Sequence, residues 1–332
     1  MVKLVAAASS LAVMCVLAGL CVYAVRAAKL APPPSTPQLA LAMQTARSAA
    51  AGPRLRVLTL NTFLRPVPVN HHGIHGDAKW ERLIPLVAQL LLPHDVLALQ
   101  EVWAFRRQLL SMLRAAGFAH IVLPQPAAHG ALIDSGLVIA SRFPITEARR
   151  VLFRGGASGC KPAGADRHAS KGVLYAAVAA PNGQRYHVFN THLQATYTRE
   201  PSAAEAAALR CQLAALVRFV DAHAPGGEAA IVAGDFNMPP HWARPAMRAA
   251  GFRDVLREDD ATPTIHIVYD ADGRELSTVT RMCAKCAARY AGHPLVAVRL
   301  DHLWVRRLGV HSARVLPTHG ASDHDGLRAE VH

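Results

Sequence analysis

The stretch AAIVAGDFN, residues 229–237, is a continuous run of small and β-branched apolar residues that stops on Asp235 and Asn237. Such a run reads as a strand covered on both faces, and the polar pair at its end marks either water or a site. Seven further runs share this build, at 54–61, 95–102, 136–143, 171–180, 185–193, 299–306 and 326–331. Helical patterns lie between them at 77–92, 103–116 and 202–222. Pro85 interrupts the first, and Ser202 with Glu205 forms a capping box at the start of the third. Doubly covered strands alternating with helices predict an α/β sandwich, stacked sheets flanked by helices.

One polar strand end decides nothing, because every strand eventually meets solvent. Here the endings repeat one chemistry: Asn61 after LTL, Glu101 after LALQ, Asn190 and His192 in VFNTH, Asp301 in RLDH, and Asp323 and His324 in SDH. Together with Asp235 and Asn237 they point to one shared polar site. Glu101 among carboxylate and amide oxygens makes a hard-oxygen set, suited to Mg2+ rather than zinc, with Mn2+ able to substitute. An imidazole near its working pKa can take a proton from attacking water, and an aspartate on its other ring nitrogen fixes the tautomer. Asp301 is the candidate orienter for His324. Neighbours in an extended segment point to opposite faces, so Asp323 is expected to turn toward the metal side.

The 36 Lys and Arg against 23 Asp and Glu give a net charge of +13, which suits an anionic partner but is scattered rather than blocked. Residues 4–25 carry no charge, so 1–26 reads as a signal peptide or membrane anchor and places the remainder outside the cytoplasm. Residues 27–53, rich in Ala and Pro, read as a tether with one short helix, and 54–332 as one catalytic domain. CAKC at 283–286 is a lone C-x-x-C, for which export favours a disulfide over zinc. The histidines of HHGIHG at 71–76 read as a solvated loop or pocket rim.

In this order, LNTF, LQEVW, NTHLQA, GDFN, LDHLWV and SDHDGL resemble the endonuclease/exonuclease/phosphatase superfamily over residues 54–331. That resemblance implies a deoxyribonuclease-I-like four-layer α/β sandwich with two packed mixed sheets. His192 in NTHLQA, the loop 158–176 with Asp166 and Lys171 five apart, and ALRCQLAAL at 208–216 resemble the neutral sphingomyelinase branch. The roles implied are Glu101, Asn61 and Asp323 around Mg2+, and His324 as general base held by Asp301. His192 and Asn237 would hold phosphate oxygens, Asp235 would sit by the attacking water or leaving group, and Lys171, Asp166 and Asn190 would bind substrate. The implied reaction releases phosphocholine and ceramide from sphingomyelin, by a monomeric domain working at a membrane surface. An exported nuclease, or another phosphodiesterase or phosphatase of the superfamily, is the alternative, with nucleic acid as its partner. Residues 261–298 hold only Tyr269 and Tyr290 as aromatics, so the exposed aromatic hairpin of secreted bacterial sphingomyelinases has no counterpart.

Overall fold

The computed structural model describes residues 37–48, 54–65, 80–155, 159–279 and 289–332. The expectations placed on residues 1–36, on 71–76 and on Cys283 and Cys286 lie outside them. All eight apolar runs form strands: β1 (Leu55–Leu64), β2 (Val96–Val102), β4 (Val138–Ser141), β6 (Gly172–Ala179), β7 (Arg185–His192), β8 (Ala230–Asp235), β13 (Asp301–Arg306) and β15 (Gly326–Val331). The additional strands are β3 (His120–Val122), β5 (Ile145–Leu152), β9 (Arg253–Asp254), β10 (Ile265–Tyr269), β11 (Glu275–Val279), β12 (Leu295–Val298) and β14 (Val310–Leu316).

Two six-stranded mixed sheets result, ordered β14-β15-β1-β2-β4-β3 and β5-β6-β7-β8-β13-β9, with a small sheet β11-β10-β12 beside them. β1 pairs parallel with β2 and β7 with β8. Alternate residues of the facing strands, among them Val57, Ala98, Val188, Ile231, Leu303 and Leu327, fill the space between the sheets. The opposite faces are covered by helices. Leu83, Leu86, Leu109 and Leu113 pack on the first sheet, and Leu209, Leu213, Leu216 and Met247 on the second. The four layers of the expected deoxyribonuclease-I-like sandwich are present.

The helices follow local rules. Ser202 Oγ accepts from the Glu205 amide while the Glu205 carboxylate accepts from the Ser202 amide, and this box opens the helix Ala203–His223. In the 77–92 region an α-helix spans Trp80–Pro85 and gives way to a π-helix over Leu86–Leu91. Pro85 brings no amide hydrogen to the ladder, and the wider winding follows at once. Within 27–53, Pro37–Ser48 is helical and buries Leu39 against the same layer as Leu83, so packing begins upstream of residue 54. A disulfide joins Cys160, in the loop before β6, to Cys211 on the helix Ala203–His223.

Candidate active site

Asp235 ends β8, the strand flanked in register by His192 of β7 and Asp301 of β13. Gly234 permits this close pairing, since a Cβ there would stand 2.0 Å from the Thr191 carbonyl oxygen. Asp235 Oδ2 lies 3.5 Å from His192 Nε2 and 3.8 Å from His324 Nε2, and it accepts from Asn61 Nδ2 at 3.1 Å. Its other oxygen accepts from the Asn237 amide at 2.9 Å. Asn237 in turn donates its side-chain amide to the Leu193 carbonyl. Burial lifts Asp235 to about 6, with Asp301 adding to the rise and His324 and Asn61 opposing it.

His324 Nδ1 stands 2.7 Å from Asp301 Oδ2, which assigns the ring proton on that nitrogen to Asp301 and leaves Nε2 facing the cleft. Asp301 is itself held by Thr264, whose hydroxyl accepts the Asp301 amide at 3.2 Å. Burial alone would push His324 down, but Asp301, Asp235 and Asp323 hold it well above its ordinary value. His192 goes the other way: burial, then the charges of Lys171 and His324, push it well below, so it stays neutral. The three consecutive residues Ser322, Asp323 and His324 therefore take three partners. The Ser322 hydroxyl donates to the Asn61 carbonyl at 2.6 Å, Asp323 Oδ2 accepts from Thr278 at 2.5 Å, and His324 meets Asp301.

Glu101 reaches the cleft by breaking a rule. Strand alternation would send it with Leu97 and Leu99 under the helices, but its φ of 55° re-aims the side chain. Its Oε2 has no hydrogen-bond partner among the described residues and lies 3.8 Å from Arg65 Nε. Burial raises Glu101 to about 7, with Asp323 and Asp235 adding and Arg65 and His324 opposing. On the opposite wall Lys171 Nζ pairs with Asp166 Oδ2 at 2.7 Å and donates to the Leu193 carbonyl at 2.6 Å. Asp166 is fixed further by the Ala195 amide and the Tyr197 hydroxyl.

Nine of the eleven sequence-predicted residues line one cleft of about 340 Å3, and Asp301 stands fully buried behind His324. Asn190 does not line it. It is buried between the sheets, accepting from Gln100 at 2.7 Å and donating to the Leu99 and Val138 carbonyls, so its amide clamps one sheet to the other. The substrate-binding role expected for Asn190 has no geometric basis. Sequence reading missed Arg65, Tyr197, Thr278 and Glu275, which line the same cleft. Burial followed by Asp323 raises Glu275 to about 7. Arg65 carried a signal, standing four residues past Asn61 on the same strand end; Glu275 and Thr278 carried none, because the small sheet brings them in.

Asp235, Asp301 and His324 offer ligand atoms within 4.8 Å of one another, close enough to share a metal ion. That spacing is already used by the His324–Asp301 hydrogen bond. The better fit for a hard cation is the Glu101 oxygen that has no hydrogen-bond partner among the described residues, with Asp323 and the Asn61 amide oxygen, which accepts the Phe63 amide at 3.1 Å.

The model of the endonuclease/exonuclease/phosphatase family matches residues 60–324. An inositol phosphosphingolipids phospholipase C of Schizosaccharomyces pombe is 29% identical over 206 residues, 58% of this chain and 43% of that protein. A Dictyostelium discoideum sphingomyelinase is 27% identical over 143 residues, 39% of this chain and 30% of that protein. The chain thus spans less than half the length of either relative in these matches. Among solved structures, a Staphylococcus aureus beta toxin mutant with bound magnesium ions superposes with a TM-score of 0.58 at 17% identity, covering 83% of this chain and 99% of that one.

Proposed function

The chain belongs to the endonuclease/exonuclease/phosphatase family, and from that premise we propose that it is a Mg2+-dependent phosphodiesterase of the sphingomyelinase kind. On this reading it cleaves a phosphosphingolipid between the lipid oxygen and phosphorus, releasing ceramide and the phosphorylated headgroup. One observation carries the chemistry: His324, oriented by Asp301, turns its free nitrogen toward Asp235 in the cleft that also holds the unpartnered Glu101 oxygen. The substrate class rests on the two curated relatives, a sphingomyelinase and an inositol phosphosphingolipids phospholipase C. The magnesium ions named in the beta toxin structure favour the same metal here.

Glu101, Asp323 and Asn61 would hold the ion. When bound, it would polarise the phosphoryl oxygens, and its positive charge would oppose protonation of His324. Asp301 keeps the His324 Nε2 lone pair aimed into the cleft, ready to receive the proton of the attacking water. Neutral His192 and the Asn237 amide offer hydrogen-bond donors to the phosphate oxygens as charge accumulates. Lys171, pinned by Asp166, adds a fixed positive charge on the same wall. The Cys160–Cys211 disulfide supports the expected export, since such bonds persist in oxidising compartments.

The test offers the full chain sphingomyelin vesicles, inositol phosphosphingolipid vesicles and plasmid DNA in parallel, with Mg2+ or EDTA. Release of phosphorylated headgroup that needs Mg2+ and disappears in His324→Ala is expected. Nicked DNA with intact lipid would sink the lipid reading and keep the phosphodiesterase.

A further inference from the structure

The 3-10 helix Gly164–His168 separates two surfaces. Its Asp166 is buried against Lys171 at the cleft, whereas Arg167 is exposed. There a shallow depression of about 420 Å3 is lined by Arg154, Lys161, Pro162 and Arg167. The contacts of these cations are to carbonyls: Arg154 Nη1 donates to Arg167 O at 3.0 Å, and Arg167 Nε to Gly164 O at 2.9 Å. No carboxylate pairs with any of the three among the described residues.

The loop ahead of β4 continues this surface. The amides of Leu132 and Ile133 both donate to the His168 carbonyl, at 2.8 and 3.1 Å. Ile133 lines the cleft, but Leu132 is 76% exposed, the most exposed large apolar side chain among the described residues. A Cβ on Gly130, in the same loop, would stand 3.8 Å from Arg154 Nη2, so loop and cations are contiguous. A lone exposed leucine is ordinary. One set beside three cations at the rim of a cleft has the composition of a bilayer contact, with an apolar tip for the acyl boundary and charges for the headgroup layer.

We propose that Leu132, Arg154, Lys161 and Arg167 form the face that docks on an anionic bilayer and sets the mouth of the cleft against the headgroup layer. The inference rests on the lipid-directed reading of the cleft. A nucleic acid would use the cations but has no need of the leucine.

The full chain is sedimented with phosphatidylcholine vesicles and with vesicles that also contain phosphatidylserine. Any insertion of its N-terminal apolar segment acts on both, so the ratio of the two affinities isolates the charged face. Combined Arg154→Gln, Lys161→Gln and Arg167→Gln should lower the anionic preference roughly a hundredfold, at about fivefold per cation near the surface. Leu132→Ser, which disturbs no packing, should weaken binding to both vesicles about tenfold. Turnover of a monomeric short-chain sphingomyelin should be unchanged in both variants. A serine-lipid preference that survives the triple substitution overturns the proposal, as does loss of duplex DNA binding with vesicle binding intact. If the wild type docks as expected yet cleaves no phosphosphingolipid, the docking face stands and the proposed reaction falls.

Discussion

His324 Nδ1 and Asp301 Oδ2 lie 2.7 Å apart although their positions differ by 23 in the chain, and the bond joins the loop just ahead of the last strand, β15, to the start of β13. Asn at position 301 preserves shape but offers the wrong partner to the ring. Asp301→Asn should therefore lower kcat by about a thousandfold to ten-thousandfold with little change in KM, read by steady-state headgroup release.

Lys171 and Asp166 are a buried pair, and removing one member leaves an uncompensated charge. Lys171→Met should cost about 3–5 kcal/mol of stability in urea unfolding. Adding Asp166→Asn should restore much of that stability without restoring activity. Recovery of both together would assign Lys171 a purely structural role.

Glu101→Gln keeps the volume of the side chain and removes the charge a cation needs. At a hundredfold excess over its Kd, Mg2+ should stabilise the wild type by about 2.7 kcal/mol, and the variant far less. Thermal unfolding with Mg2+ and with EDTA makes the comparison without any substrate. An equal shift in both proteins would move the metal away from Glu101.

His94 lies far from the cleft chemistry, with Nδ1 2.9 Å from the Leu90 carbonyl, and burial, then Arg328, lowers it from 6.5 to about 4. Between those values the unfolded chain binds a proton that the folded chain does not, so this contribution to stability falls as pH drops below 6.5 and is complete above it. The whole window is worth about 3 kcal/mol. His94→Gln should flatten the difference between urea midpoints measured near neutral and near pH 5. An unchanged slope would show that other groups govern the acid limb.

Much of this architecture is legible because strands covered on both faces must be continuously apolar, and all eight such runs are strands. β5 and β14 escape that reading. Sequences such as ITEARRVL, carrying Arg149 and Arg150, are half-exposed at the sheet edge and look like surface loop. Asn190 misleads for a different reason. It shares a strand face with His192 but sits two residues deeper, about 7 Å along the strand, which puts it in the inter-sheet interior instead of the cleft. The chemistry of Glu101 assigns it to the site, although alternation alone would bury it on the wrong side. Glu275 was unreadable because a carboxylate from the small sheet acquires meaning only through the packing that sets it near Asp323.

Cys160 and Cys211 are 51 residues apart in sequence, and their bond ties the segment leading to Asp166 onto the helix that covers the second sheet. A chain still among reducing thiols would have both sheets, and would hold that segment through hydrogen bonds from Gln194, Ala195 and Tyr197 and the Lys171 ion pair, without the covalent tie. Under the proposed export, oxidation would add this covalent tie to the Asp166 segment last, after both sheets and the Lys171 ion pair are in place.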